Sequence, residues 1–177
     1  MKQTLVALVE DKPGVLNRVA SLFRRRNFNI ESLAVGHSEI PGISRMTIVT
    51  DEEEHLRRNV VRANLLKLIN VIEVEDVTDK PCVIRETALI KVKADAARRS
   101  EVMDLAEMYR ARIVDVATET LIVEITGETE KIESMVAVLE PLGVLEIMRT
   151  GKIAMTRGVV KPRPDGAPAI QENGKQR

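Results

Sequence analysis

The chain has 177 residues, of which 44% are hydrophobic and only 2% aromatic, and its 27 basic side chains balance 27 acidic ones. This composition excludes a disordered chain and predicts an aliphatic core. The balanced charge argues against nucleic-acid binding, which depends on excess basic charge. No segment approaches the roughly 20 apolar residues of a membrane span, and the N-terminus lacks the pattern of a signal peptide. The single cysteine suits a reducing compartment, so we expect a cytoplasmic protein.

The first half of the chain contains six segments with clear hydrophobic periods. Gln3 to Glu10 is short and apolar on both faces, which predicts a central strand. From Pro13 the apolar residues recur at helical spacing, and this helix ends in three arginines that suit the negative end of its dipole. The remaining patterns predict strands over 27–37, 44–50 and 71–77 and a helix from Glu52 to Leu68.

The same order of elements returns in the second half of the chain. The patterns predict strands over 87–93, 112–118, 121–126 and 144–150, with helical stripes over 102–109 and 132–139. Short loops and right-handed crossovers leave few topologies for this order. It predicts an α+β fold of two tandem ferredoxin-like βαββαβ domains, each with an antiparallel sheet and two helices on one face.

Breaks in these periods predict the domain boundaries. We expect a first domain over 1–78, a linker over 79–85 that contains Pro81, a second domain over 86–158 and a flexible tail over 159–177. Domains of this size have marginal cores, and several strands are apolar on both faces. A second surface, either the other half of the chain or another chain, should therefore cover each sheet, and we expect the chain to form a homodimer.

No motif of a catalytic or metal site stands out. His37 and His55 are too few for a His-rich metal site, and Cys82 has no CxxC partner. The chain has no GxSxG, P-loop or GxGxxG motif. We therefore expect no catalytic residue, no metal and no cofactor in this chain.

The stretch "EDKPGVL" at residues 10–16 is the best candidate for a binding site. With Pro13 as the first helical residue, the N–H groups of Gly14, Val15 and Leu16 would point outward at the positive end of the helix dipole. Such a helix start can bind a carboxylate, and Asp11 beside it can bind an ammonium group. The pattern fits a free amino acid, although a plain strand–helix turn capped by an acid explains the same residues.

The segments "VEDKPGVLNRVASLF" and "NFNIESLAVGHSEIPGISRMTIV" resemble the regulatory small subunit of acetohydroxyacid synthase, also called acetolactate synthase. The similarity is strongest in "NIESL" and "SRMT" and continues through "VIEVEDVT", "RIVDV" and "TGKIAMTRG", so it covers residues 1–158. The first half of this family is an ACT domain, an amino-acid-sensing module with the ferredoxin-like fold.

The resemblance implies a function and a site. Family members are not catalytic themselves but activate a large catalytic subunit, which would carry thiamine diphosphate, Mg and FAD. They also confer feedback inhibition by valine or another branched-chain amino acid, which binds where two ACT domains meet. In this chain the strand–helix turn would supply the first half of the site and the start of strand two of a neighbouring chain the second half. These residues are Asp11, Gly14, Val15 and Leu16 in the turn, and Asn29 and Ile30 in the neighbour's strand.

Two positions depart from the pattern of many relatives, which have Asn where this chain has Asp11 and Gly where it has Asn27. Two other classes of function remain open. One is a free-standing amino-acid-responsive regulator of a different enzyme or of transcription, although no helix-turn-helix segment is visible. The other is a small enzyme on a ferredoxin-like scaffold.

Overall fold

The computed structural model describes residues 2–51 and 55–158, with only the backbone of His55 and Leu56. The predicted flexible tail over 159–177 and the predicted helix start at Glu52 lie outside the described residues. The chain forms two compact units. Unit 1 comprises the described residues up to Val83 together with those from Ala154, and unit 2 comprises Ile84–Ile153. No helix among the described residues is long and apolar enough to cross a membrane.

Unit 1 is a four-stranded antiparallel sheet with two helices. Its elements are β1 (Gln3–Glu10), α1 (Val15–Arg26), β2 (Ile30–His37), β3 (Ile43–Thr50), α2 (His55–Leu65) and β4 (Val71–Asp76). The strand order is β2-β3-β1-β4, so β1 and β3 are central and β2 and β4 lie at the edges. This arrangement explains why the β1 sequence is apolar on both faces.

The strand register places the predicted functional segments at the two ends of the sheet. Gln3 at the start of β1 pairs with Thr50, and Thr50 pairs with Ile30 at the start of β2. At the other end of the sheet Glu10 pairs with Ile43. The start of β2 therefore lies at one end of the sheet and the β1–α1 turn at the other.

The core of unit 1 fills the space between the sheet and its helices. Alternate residues of the central strands meet apolar residues of α1 and α2, as the periods of 2 and 3.6 require. Phe23 is 2% exposed and meets Phe28 edge to face, with ring centroids 6.2 Å apart. The core consists of Leu5, Ala7, Val9, Val15, Val19, Phe23, Met46, Ile48, Val61, Leu65 and Val74.

The opposite face of this sheet is also buried. Val6, Thr47 and Val49 are all at most 7% exposed. Ala154 lies on this face, since its N–H donates to Thr47 Oγ1 at 3.4 Å and its carbonyl accepts from Arg45 at 3.1 Å. A short segment from the far end of the described chain thus supplies part of the cover that the sequence predicts for the sheet.

Unit 2 repeats the order of elements. They are β5 (Cys82–Lys93), α3 (Arg99–Met108), β6 (Arg112–Val116), β7 (Thr120–Gly127), α4 (Thr129–Gly143) and β8 (Val144–Arg149). The next strand in the chain, β9 (Ile153–Thr156), belongs to unit 1 from Ala154 onward. The strand order is β6-β7-β5-β8, with β9 paired to β5. Its core is aliphatic and includes Ile90, Leu121, Val123, Ile125, Ile132, Met135 and Leu139, all 0% exposed.

The α+β fold of two tandem βαββαβ units is confirmed, with two differences from the sequence prediction. Residues 82–85, predicted as linker, form the beginning of β5, because Pro81 precedes the strand and removes no N–H from its ladder. Residues 154–158, predicted to belong to the second domain, are grouped with unit 1. The short strand β9 was not predicted at all.

Candidate effector-binding site

The β1–α1 turn differs in one respect from the prediction. The helix begins at Val15 rather than Pro13, and Gly14 is its N-cap residue. Gly14 has φ 83° and ψ −5°, a left-handed conformation that side chains with a Cβ rarely adopt. A Cβ at Gly14 would meet no atom within 4 Å, so the backbone conformation and not the available space selects glycine.

The start of α1 keeps unsatisfied backbone donors. No side chain caps this helix start. The Val15 N–H donates a hydrogen bond to the Lys12 carbonyl at 3.3 Å. Among the described residues no acceptor faces the N–H groups of Gly14, Leu16 and Asn17. These three residues are exposed and lie at the positive end of the helix dipole. This is the arrangement that binds carboxylates at helix starts.

Asp11 is fixed beside this helix start. Its N–H donates to the carbonyl of Gly42 at 2.8 Å. Its carboxylate Oδ2 lies 3.3 Å from Nδ1 of His37, whose side chain is largely in solvent, while that of Asp11 is half-exposed. Sequence analysis missed His37 as a member of this site because the contact joins residues 26 positions apart across a hairpin. The only available signal was that His37 ends a strand antiparallel to β3, at the same end of the sheet.

A polar network holds the end of β1 and the start of α1 together. Asn70 donates from Nδ2 to Glu10 and accepts at Oδ1 from Arg18, which lies on α1. The Asn70 carbonyl also accepts the Glu10 N–H at 2.9 Å. Hydrogen bonds from Asn70 and Lys12 lower the pKa of the Glu10 carboxyl below its ordinary value. Glu10 therefore stays ionised at neutral pH and keeps the turn in place.

Of the predicted turn residues, Val15 is buried and Leu16 is exposed. Val15 is 4% exposed and its side chain belongs to the core of unit 1, while its N–H, predicted to point outward, donates to the Lys12 carbonyl. Leu16 is 47% exposed and is the apolar side chain available next to the free N–H groups. The position after the glycine is thus structural, and the next one faces outward.

Asn29 and Ile30 do not lie near the turn in the same chain. They lie at the start of β2, at the end of the sheet where β1 begins. Eight residues of β1 separate the two ends, which is about 24 Å at the usual rise per residue. A single chain therefore does not bring the two predicted halves of the site to one amino acid.

The described residues contain no group of three or more His, Cys, Asp or Glu side chains arranged to hold a metal ion. The turn itself offers backbone N–H groups to an anion and the Asp11 carboxylate to a cation.

Comparison with known proteins places this geometry in a family. Residues 5–73 match the model of the AHAS small subunit-like ACT domain, and residues 85–158 match that of the small subunit of acetolactate synthase. The chain is 49% identical over 164 residues to the acetolactate synthase small subunit of Mycolicibacterium smegmatis, an alignment that covers 93% of this chain and 94% of that protein. This chain belongs to the acetolactate synthase small-subunit family.

Further relatives of this small-subunit family agree with the assignment. The chain is 47% identical over 158 residues to a probable acetolactate synthase small subunit of Archaeoglobus fulgidus, covering 89% of this chain and 98% of the relative. The crystal structure of the Thermotoga maritima acetolactate synthase small subunit superposes with a TM-score of 0.84 at 40% identity, covering 90% of this chain and 99% of that one. The family and fold predicted from the sequence are confirmed.

Proposed function

We propose that this chain is the regulatory subunit that activates the thiamine-diphosphate-dependent catalytic subunit of acetolactate synthase and makes it sensitive to valine or another branched-chain amino acid. The catalytic subunit carries Mg and FAD as well, and this chain carries no active site of its own. Membership of the small-subunit family supports the partnership.

The open start of α1 is the observation that supports an amino-acid effector. The unpartnered N–H groups of Gly14, Leu16 and Asn17 suit the effector carboxylate, and the Asp11 carboxylate suits its ammonium group. Leu16 gives an exposed apolar contact for a branched side chain. A ligand that combines an anion, a cation and a small apolar group is an aliphatic amino acid.

A homodimer completes this site. β2 is an edge strand, so its free backbone groups can pair with β2 of a second copy. In an antiparallel pairing the start of one β2 lies beside the end of the other, where His37 contacts Asp11. Asn29 and Ile30 of one copy then lie near the β1–α1 turn of the other. The Asn29 amide can both donate to and accept from the bound amino acid.

Reconstitution with the catalytic subunit tests this function. We expect the chain alone to convert no pyruvate, and we expect the catalytic subunit to turn over faster when the chain is added. Valine should reduce this stimulated rate but should not reduce the rate of the catalytic subunit alone. Turnover by the purified chain, or a catalytic rate that the chain leaves unchanged, would refute the proposal.

A further inference from the structure

Most lysines and arginines among the described residues of unit 1 have a partner. Ion pairs are formed by Lys2, Lys12, Arg58 and Lys80. Side-chain or backbone oxygens accept hydrogen bonds from Arg18, Arg45, Arg62 and Arg157. Arg57 also has a polar or electrostatic partner. Among the described residues Arg24, Arg26 and Lys67 have no hydrogen bond or ion pair from their charged groups. Arg25 has only the Ser21 carbonyl, 3.3 Å from its Nε. Within the part of unit 1 that the structure describes, the unpaired positive charge is therefore concentrated in one region.

The three arginines at the end of α1 carry more positive charge than is needed to compensate for the helix dipole. They lie in the last turn of α1, where the macrodipole amounts to roughly half a negative charge. One arginine is enough to compensate for it. The Asn27 and Phe28 N–H groups already bind the Arg24 and Phe23 carbonyls, at 3.2 and 3.0 Å, so the helix end is also capped by backbone. The remaining positive charge has no bonded partner among the described residues of unit 1.

Three of these basic side chains line a groove between α1 and α2. The groove has a volume of about 460 Å³. Arg26, Arg25 and Lys67 surround it, while Arg24 does not take part in its lining. Asn64 is 7% exposed, and its Nδ2 is held by the Val60 carbonyl at 2.7 Å. The complete lining is Leu22, Arg25, Arg26, Asn64, Lys67 and Leu68.

We propose that this groove is the surface of unit 1 that docks an acidic segment of the catalytic subunit. The inference rests on the proposed function, because it assumes that a catalytic partner binds. Carboxylates of the segment would pair with Arg25, Arg26 and Lys67, and an apolar side chain between them would cover Leu22 and Leu68. Charge complementarity selects the partner, because a groove with three cations and no described acid favours an acidic occupant and repels a basic one.

A double charge reversal, Arg26→Glu with Lys67→Glu, tests the groove. The catalytic subunit is titrated with the full chain, and turnover of pyruvate is followed as a function of chain concentration. We expect the double variant to raise the half-saturating concentration at least tenfold while the maximal stimulated rate stays unchanged. Salt should weaken the wild-type interaction more strongly than that of the double variant, because fewer attractive charges remain to be screened.

Arg24→Glu is the matched control. It makes an exposed charge reversal in the same helical turn, with a similar effect on the dipole, but outside the groove. We expect less than a twofold change in the half-saturating concentration. The single variant Arg26→Glu is titrated beside it. An equal rise of the half-saturating concentration in Arg24→Glu and Arg26→Glu would show a general charge effect and overturn the proposed docking at the groove. The neutral pair Arg26→Gln with Lys67→Gln should give an intermediate shift, and circular dichroism should show the wild-type fold in every variant.

The outcomes separate this inference from the proposed function. Wild-type chain that fails to stimulate the catalytic subunit refutes both. Stimulation by wild type with an unchanged titration of the double variant refutes only the groove. If inorganic phosphate then binds to wild type but not to the double variant in calorimetry, the groove is a small-anion site and the docking proposal is overturned.

Discussion

The turns that follow the first strand of each unit have the same place in the topology but different helix starts. In unit 2 the carboxylate of Asp95 accepts from the N–H groups of Ala97 and Arg98 at 3.1 and 3.0 Å, just before α3 begins. In unit 1 no side chain does this for α1, and Gly14 occupies the N-cap. The carboxylate of Asp95 thus binds the turn that leads into α3, whereas the turn that leads into α1 has no side-chain acceptor and can receive the carboxylate of a ligand.

This difference shows that repeating a fold does not repeat a site. An N-cap side chain typically stabilises a protein by about 1 kcal/mol, and unit 1 lacks this contribution at α1. The open donors are therefore a cost to stability that a bound anion would offset. In unit 1 the open N–H groups lie close in sequence to an acid, Asp11, whose own N–H is held by the Gly42 carbonyl.

The largest effect is expected when unit 1 receives a carboxylate of its own. Gly14→Asp places a negative charge where the effector carboxylate binds, and two carboxylates about 4 Å apart repel by about 1 kcal/mol in water and more in a partly buried site. We expect valine affinity to fall at least tenfold in calorimetry. Stimulation of the catalytic subunit should persist, so the holoenzyme should stay active at high valine concentration.

Gly14→Asn is the control for this substitution. Both variants put a side chain on a left-handed residue, which costs about 1–2 kcal/mol in general and less for Asp and Asn. Asn carries no charge, so it isolates the electrostatic part. If valine affinity falls as much in Gly14→Asn as in Gly14→Asp, the shape of the turn and not its charge controls valine binding.

A smaller effect is expected at the cation side of the same turn. Asp11→Ala removes the carboxylate that faces the effector ammonium, and the exposure of Asp11 limits the loss. We expect valine affinity to fall threefold to tenfold, with a smaller loss in Asp11→Asn, which keeps an acceptor oxygen. Tighter binding in Asp11→Ala would mean that Asp11 repels the effector carboxylate instead of holding its ammonium group.

Opening the closed turn should change stability and leave binding unaltered. Asp95→Ala removes the acceptor for Ala97 and Arg98, which should lower the free energy of unfolding by about 1 kcal/mol. Denaturant titration measures this, and Asp95→Asn should retain most of the stability. Valine affinity should stay within twofold of wild type. A large loss of affinity would show that unit 2 contributes to the site.

The smallest effect is expected at the other end of α1. Asn27 has φ 56° and ψ 39°, the left-handed conformation that favours glycine after a helix. Asn27→Gly should raise the free energy of unfolding by no more than about 1 kcal/mol, and Asn27→Ala should lower it. Equal stability of all three proteins would show that the left-handed turn is not under strain.

Much of the fold could be predicted from local periods, because β1 and the apolar stripes of the helices follow the spacing of 2 and 3.6 residues. The start of α1 was displaced by two residues, because Pro13 fits a first helical position and glycine fits many conformations. β9 was missed because four residues carry too weak a period and its pairing with β5 is a long-range contact.

The candidate site was predicted less completely than the fold. The sequence proposes Asp11 and Gly14 as site residues, but the burial of Val15 depends on which side of the helix meets the sheet. The contact of Asp11 with His37 depends on tertiary structure, so no local sequence pattern predicts it. The separation of Asn29 from the turn depends on the strand order, which short segments do not reveal.

The most direct test of the account is an amide chemical-shift map of the full chain titrated with valine. We predict saturable shifts for Gly14, Leu16 and Asn17 in the turn and for Asn29 and Ile30 on β2, with no shift for Ala97 and Arg98, whose N–H groups Asp95 already binds. Shifts that saturate elsewhere and leave residues 14–17 unchanged would contradict an effector site at the open helix start.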